Sequence, residues 1–423
     1  MGRLTILTIL ITANAIIGTT PCIAQTEKEE VNYQRSSLYS LMVKRPARAY
    51  NKEIEFVFSH MEKPERFNDH SLNVKSVIFT SDNEDISESI IQFMKESKMG
   101  RRLVGKWFNR NKKDGSFDME LIKERGLYNA TAAEWNAAMK QVRGSALLED
   151  AGENLIGKTF VLVHDIRYID RSTAWNNIKE IASMTTQFAA GLASILLVKA
   201  DITGFGTKDQ NLDDEYNWLY APVLDKIKGF AVNVTSYLFQ LDWNDDTASQ
   251  FYTDYYMDKK NINPQRANLF KTQADKLFHV KYIGKVKNKS SKMVLSGVRT
   301  NEELIMKVCT RALDKNIADL QHEHAEFRIK APLIATSPLC AYVGMKEDIT
   351  ESSKFEVLER ETDKSGKIIY NRVGIIKPIK GSIWDNRYMA DKEDTRESRL
   401  RATLFEKVSG GDFYPGMLIR EIK

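Results

Sequence analysis

The sequence predicts an α+β protein: an α/β-type N-terminal part with a mixed sheet and helices, followed by a small all-β barrel or sandwich. Three observations carry this expectation. Between residues 73 and 331, apolar runs with a period of two alternate with stretches whose apolar residues recur at helical spacing. Beyond Pro338 the apolar runs shorten and recur every ~8–12 residues, the rhythm of a barrel or sandwich. The length, 423 residues, suits two or three domains, and 42% hydrophobic with 28% charged residues is the make-up of ordinary globular chains. Collagen-like, disordered and disulfide-scaffold classes are thereby excluded. The net charge of +5, from 62 basic and 57 acidic residues, is too mild for a nucleic-acid footprint, so no nucleic acid is expected as a partner.

The N-terminus carries the clearest functional information. Met1-Gly2-Arg3 supplies a positive start, Leu4 to Thr20 is an uncharged run of apolar and small residues, and Ala24 offers a small residue before a cut. Residues 1–24 are therefore expected to be a secretory signal peptide. A membrane anchor is the competing reading; the abrupt turn to Thr26-Glu27-Lys28-Glu29-Glu30 favours cleavage. Cys22 raises lipid modification, but Pro21 and Thr19 occupy positions where a lipobox has a small and an aliphatic residue. Cleavage leaves Cys309 and Cys340, which an oxidising compartment permits to pair and which serve equally as buried thiols. The sequons at Asn129, Asn233 and Asn288 read as chance matches, Asn233 lying inside a predicted strand.

The elements follow in order. Residues 25–72 form a preface: a helix over 31–44, with Leu38, Leu41 and Met42 on one side, ended by Pro46, and then a short strand in which Ile54, Phe56 and Phe58 alternate with Glu55, Val57 and Ser59. The α/β domain spans 73–331. It opens with a strand from Val74 to Phe79, a helix through Ile86, Ile90, Ile91 and Met94, and a strand from Leu103 to Phe108. Helices around Met119–Ile122 and Thr131–Leu148 lead to a long strand in which Phe160, Leu162, His164 and Ile166 share a face. Residues 171–228 read as a helical insertion. Strands at Phe230–Trp243 and Phe278–Tyr282 come next, then a basic loop with Lys285, Lys287, Lys289, Lys292 and Arg299. The cleanest helix of the chain follows, with Leu304, Ile305, Val308, Cys309, Leu313, Ile317 and Leu320 forming one stripe. Ala325, Phe327 and Ile329 suggest an edge-like strand. Pro332 to Pro338 is taken as the domain boundary, and 339–423 as the barrel, punctuated by Gly344, Gly366, Gly374, Gly381, Gly410, Gly411 and Gly416.

Gly100-Arg101-Arg102-Leu103-Val104, Met119-Glu120-Leu121-Ile122-Lys123-Glu124 and Thr159-Phe160-Val161-Leu162-Val163 stand in the middle of this order. Val343-Gly344-Met345-Lys346-Glu347 and Tyr414-Pro415-Gly416-Met417-Leu418 carry glycine turns in the expected barrel. In this order the chain resembles bacterial envelope assembly proteins: the α/β domain of the curli-secretion lipoprotein, and flagellar assembly protein T, which also ends in a small β-barrel. The resemblance covers roughly 73–169, 229–330 and 339–423, rests on topology, and implies an envelope assembly role. The poor lipobox and the large insertion depart from it.

Few residues could carry chemistry. His322-Glu323-His324 is the sole close histidine pair; on extended backbone both imidazoles would share a face, the start of a metal site, with His279 on a nearby strand. A solvated junction is the plainer reading, and no metal is expected. His164 reads as a hydrogen-bonded core histidine. Asp242, Asp245 and Asp246 beside Trp243 could be paired carboxylates, but adjacency cannot place them across a glycosidic bond. Arg110 at the first place of a calcium-loop-like segment excludes calcium there. Phe251, Tyr252, Tyr255 and Tyr256 form an aromatic stripe suited to a core. Ile181 to Val198 is an uncharged stretch that suits a buried helix or, as an alternative, membrane-surface contact. Trp384, Asp385, Arg387 and Tyr388 are the best candidates for a contact surface, because large aromatics and arginine dominate interface cores; a Trp closing the barrel is the equal alternative.

The expectation is thus an exported, non-catalytic cell-envelope protein acting in assembly, scaffolding or binding. Its partner would be an envelope protein or cell-surface polymer, and no cofactor or catalytic residue is assigned. An exported hydrolase of glycan or peptide, or a membrane-active protein using 181–198, are the alternatives. The mature protein from its native host is expected to begin at Gln25 or within a residue or two of it, which intact-mass measurement reads directly. A species that retains residues 1–24, or carries a lipid on Cys22, would contradict this.

Overall fold

The computed structural model describes residues 37–61, 68–69, 72, 76–78, 85–129, 152–153, 155–169, 227–295, 301–328, 330–362, 368–393, 395 and 397–422. In chain order the first part comprises β1 (Ser37–Lys44), α1 (Asn51–His60), β2 (Asn68–Asp69), β3 (Ser76–Ile78), α2 (Ser87–Glu96), α3 (Met99–Trp107) and α4 (Glu120–Asn129). Then come β4 (Thr159–Tyr168), β5 (Ile227–Leu241), α5 (Asp245–Gln250, continuing as a π-helical turn over Phe251–Tyr255), α6 (Pro264–Gln273), β6 (Val280–Leu295) and α7 (Asn301–Glu323). The strands make one mixed sheet in the order β2-β1-β4-β5-β6, with β3 also paired to β1. β1 runs parallel to β2, β3 and β4, whereas β4–β5 and β5–β6 are antiparallel.

Helices cover both faces of this sheet. Tyr39, Leu41, Val43, Val161, Val163, Tyr237 and Phe239 pack against α2, α3 and the 245–278 segment. On the opposite face Met42, Ile166, Val232 and Val234 meet α1 and α7, and Leu38, Phe160, Leu162 and Leu238 meet Leu320 and Phe327. The protein is α+β, as expected. The aromatic stripe at Phe251 and Tyr255 belongs to the core, as its helical spacing implied.

Several elements differ from expectation, each for a physical reason. The segment read as a helix, where described, is β1: sandwiched between helical layers, it buries Leu38 and Met42 on one face and Tyr39, Leu41 and Val43 on the other, so it lacks the alternation of a one-sided strand. The strand expected at Ile54–Phe58 is helix α1. Its buried residues are Ile54 and Val57, three apart, and Phe56 is exposed. The strand expected at Leu103–Phe108 is α3 and its cap; Leu103, Val104, Trp107 and Phe108 are all fully buried and fit helical spacing. The basic loop lies largely in β6, an edge strand. Lys285, Lys287 and Lys289 project from one face and Val286 and Asn288 from the other, so the alternation was in the lysines; such charges also protect an edge from foreign pairing. Residues 325–328 form a turn rather than a strand, with Phe327 buried against Phe160 at 4.9 Å. Residues 1–24, 131–148, the insertion up to 226 and the uncharged stretch 181–198 lie outside the described residues. Among the described residues no helix is long and apolar enough to cross a membrane.

The second part is a closed barrel of β7 (Ala331–Thr336), β8 (Leu339–Ala341), β9 (Lys354–Thr362), β10 (Ile368–Pro378), β11 (Thr403–Gly410) and β12 (Leu418–Ile422). Its circular order is β10-β11-β8-β7-β12-β9, with every pair antiparallel. Leu333, Val343, Phe355, Val357, Ile376, Phe405 and Ile419 fill it. The Pro332–Pro338 stretch is therefore not a linker. Pro332 pairs with Leu418 inside the barrel, so the barrel starts at Ala331 rather than at residue 339. Cys309 is a free thiol in the core beneath α7, where burial pushes its pKa up to about 12; it is not bridged to Cys340.

Two polar contacts cross the sheet interior. Arg45 Nε and Nη2 each donate to Asp165 at 3.0 Å, and Arg167 Nε donates to the same carboxylate at 2.7 Å. On the other face His164 Nδ1 meets Ser236 Oγ at 2.8 Å, and that hydroxyl accepts from Asn316 Nδ2 at 2.7 Å. With one lone pair taken by Asn316, the hydroxyl can donate to Nδ1 and keep the ring neutral. Burial lowers the His164 pKa to about 3. In the unfolded chain it titrates near 6.5, so between these values the unfolded state binds the extra proton and folding loses stability as pH falls, by up to ~1.4 kcal/mol per unit. Urea unfolding of wild type and His164→Gln from pH 7.5 to 4 is expected to show the variant weaker at pH 7.5, by ~1–3 kcal/mol for the lost hydrogen bond. The gap should narrow below pH 6.5; a constant gap would contradict a buried neutral imidazole.

Candidate functional site

Helix α7 carries two stripes. Leu304, Ile305, Val308, Cys309, Ala312 and Leu313 turn to the sheet. Lys307, Arg311, Asp314, Lys315, Asp319 and His322 recur at three- and four-residue intervals on a second face, which meets the barrel. The contacts are specific: Arg311 Nε donates to the Tyr388 carbonyl at 3.1 Å, Lys315 Nζ reaches Asp348 at 2.6 Å, and His322 Nε2 lies 2.7 Å from Glu421 Oε2.

A cleft of about 360 Å³ opens along this seam. Lys307, Arg311, Asp314 and Lys315 line it from the helix, and Lys346, Asp348 and Arg387 from the barrel. Five cations and two carboxylates line it; Lys315 pairs with Asp319 and Asp348, Lys346 with Asp314, and Arg387 with Asp385. Lys307 is only 1% exposed, so it lies within the cleft wall. Burial alone would lower the Lys315 ammonium, but hydrogen bonds to Asp319 and Asp348 outweigh it and raise its pKa.

The barrel side is shaped by a latch between residues 344–348 and 384–388. Met345 N donates to the Trp384 carbonyl at 2.9 Å, Lys346 N to Asn386 Oδ1 at 2.8 Å, and Asn386 Nδ2 to Glu347 Oε2 at 2.9 Å. Glu347 also caps the turn by accepting from Gly344 N at 2.7 Å. Gly344 is the pivot: a Cβ there would lie 2.2 Å from the Trp384 carbonyl oxygen and 2.6 Å from Asn386 Oδ1. Asp385 is buried and takes Arg387 Nε at 2.8 Å and Nη2 at 2.7 Å. Burial works to raise its carboxyl, but the Arg387 hydrogen bonds and charge, with Arg311 adding, hold it below the ordinary carboxylate range. Arg387 is thereby aimed at the cleft.

The residues singled out in sequence are distributed as follows. Arg387 and the Tyr388 carbonyl face α7, Asp385 anchors Arg387, and Trp384 is half-buried with its ring 6.3 Å from that of Tyr342. His322 stands at the end of the seam. His324 does not join it: α7 runs through Glu323, so the backbone at His322 is helical rather than extended, and the His324 ring lies over Gly284 of β6, where a Cβ would meet its Nε2 at 2.4 Å. His279 pairs with Asp242 at 3.0 Å. The companions of His322 are instead Asp319 and Asp348; one imidazole nitrogen of His322 and one carboxylate oxygen of each aspartate lie within 4.8 Å of one another. Asp242 is also bound by Lys281 at 2.7 Å, and Asp245 and Asp246 open helix α5, so these three do not form a facing carboxylate pair.

Sequence reasoning missed Lys307, Arg311, Lys315, Asp319, Lys346, Asp348 and Glu421. The polar stripe on α7 was readable from its spacing, but its partners lie far along the chain. Gly344→Ala is expected to lower thermal stability by ~1–3 kcal/mol, the range for overpacking, whereas Gly411→Ala, with nothing within 4 Å of its Cβ, should change it little. Paired thermal melts check this; equal effects would show that the latch is not tightly packed. No protein-family model matches the chain and no curated protein matches it in sequence, so its function is read from the chemistry of this cleft.

Proposed function

We propose that the protein is an exported, non-catalytic component of a bacterial cell envelope that binds an anionic group in the cleft between α7 and the barrel. The observation that carries this is the convergence there of Lys307, Arg311, Lys315, Lys346 and Arg387 against two lining carboxylates. Such a surface suits the phosphates or carboxylates of an envelope polymer or an acidic partner protein. Arg387, held in place by Asp385 through Nε and Nη2, loses little freedom on binding, and its charge attracts an oxyanion. Export is supported by residues 1–24, and the assembly role by the topological resemblance described above.

Calorimetric titration of the full chain with inorganic phosphate at low salt tests the binding claim. Saturable binding is expected to weaken at least tenfold in Lys346→Gln/Arg387→Gln, since charge-assisted hydrogen bonds contribute ~1.5–3 kcal/mol each. Lys346 is 27% exposed and its change is expected to leave the fold intact, whereas Arg387→Gln leaves the buried Asp385 carboxylate without its partner, so circular dichroism and Lys346→Gln alone serve as controls. No saturable phosphate binding, or binding unaltered in the double variant, would overturn the reading; a cytosolic location on fractionation would overturn export.

A further inference from the structure

Beside the cleft, Asp319 and His322 stand three apart on α7, and Asp348 approaches from the barrel turn after 345–347. One donor atom from each lies within 4.8 Å of the others, close enough for small side-chain movements to bring them onto one ion. The three side chains are half-buried, so their approach is held by the fold and is still open to solvent exchange. Asp348 is set in place by a left-handed backbone, φ 60°, that ends the turn. Glu421 Oε2 sits 2.7 Å from His322 Nε2, where an outer carboxylate orients a ligating imidazole. A cation already occupies part of this space: Lys315 Nζ lies 2.8 Å from Asp319 and 2.6 Å from Asp348.

We propose that Asp319, His322 and Asp348 form a binding site for a divalent transition-metal ion, with Lys315 as the internal cation that the ion displaces. An imidazole with two carboxylates suits zinc or manganese; an oxygen-only preference such as that of magnesium or calcium leaves the imidazole unused. The ion would join the end of α7 to the barrel, and the released ammonium of Lys315, which also lines the cleft, would add to its positive charge. The metal site itself stands without the anion-binding reading, because its ligands and its test are separate.

The test uses the full chain, stripped with chelator and titrated with zinc, then manganese, by calorimetry and by the shift in melting temperature. One saturable site is expected, preferring zinc or manganese to magnesium by at least tenfold. His322→Gln and Asp348→Asn should each weaken it by tenfold or more. Lys315→Gln should tighten it, because the ammonium no longer competes for the two carboxylates and only the neutral Asn288 amide remains on Asp319. That opposite sign separates the site from a salt bridge that only holds the helix to the barrel: a purely structural role predicts loss of stability in Lys315→Gln and no gain in metal affinity. Absence of saturable zinc and manganese binding in both wild type and Lys315→Gln would overturn the proposal. So would binding that is unchanged in His322→Gln, or weakened in Lys315→Gln. Inorganic phosphate is left out of these titrations, so their failure leaves the anion reading standing, and the reverse.

Discussion

The position of helix α7 depends on one buried amide. Asn316 has no exposed surface, and its Nδ2 donates both to the Val234 carbonyl at 3.0 Å and to Ser236 Oγ at 2.7 Å. Its Oδ1 accepts from Asn288 Nδ2 at 2.8 Å, and that same amide donates to Asp319 at 2.6 Å. Apolar packing against the sheet is non-directional and would tolerate a helix rotated by part of a turn. A buried amide left without its partners would not, since each unsatisfied group costs ~1–3 kcal/mol. Asn316 thus sets the rotation of α7 about its axis, and that rotation decides which residues meet the barrel. Through Ser236 it also sets the state of His164, and through Asn288 the position of Asp319.

The seam built on this rotation is electrostatic where the core is apolar. Leu304, Val308 and Leu313 hold the helix by area; Arg311, Lys315 and His322 hold it by named partners on the barrel. Lys307 shows why the two cannot be separated: it is a buried charged residue that lines the cleft together with the apolar Val308. The barrel answers with main-chain groups as much as side chains. The Trp384 and Tyr388 carbonyls and the Met345 and Lys346 amides fix the facing wall, which leaves Arg387 as its projecting charge.

Much of the fold was legible in the sequence, for reasons that can be named. Helix α7 shows a one-sided stripe long enough to be unambiguous, and β4 with β5 shows long apolar alternation. The glycine-punctuated runs after Pro338 do belong to a barrel. The failures cluster where periodicity loses contrast. β1 is buried on both faces, so no polar face marks its period. Leu103, Val104, Trp107 and Phe108 fit a short strand as well as they fit α3, and only burial decides between them. Ile54, Phe56 and Phe58 alternate by coincidence, Phe56 facing solvent. The Trp384–Tyr388 segment stands out by its residue types, and of it Arg387 lines the cleft. The rest of the site was hidden because it is a meeting of distant segments. Spacing shows that Asp319 and His322 share a helix face, but nothing local announces that Asp348 and Glu421 come to it.

The circular order of the barrel bears on how the cleft comes into being. β7 closes against β12, and β12 lies at the opposite end of the barrel's own sequence. Until that long loop is closed, at a cost in chain entropy that precedes any reward from pairing, β7 has only its hairpin partner β8. Glu421, which holds His322, belongs to that final strand. The His322–Glu421 contact therefore requires a closed barrel, whereas Asn316 ties α7 to the sheet independently of it.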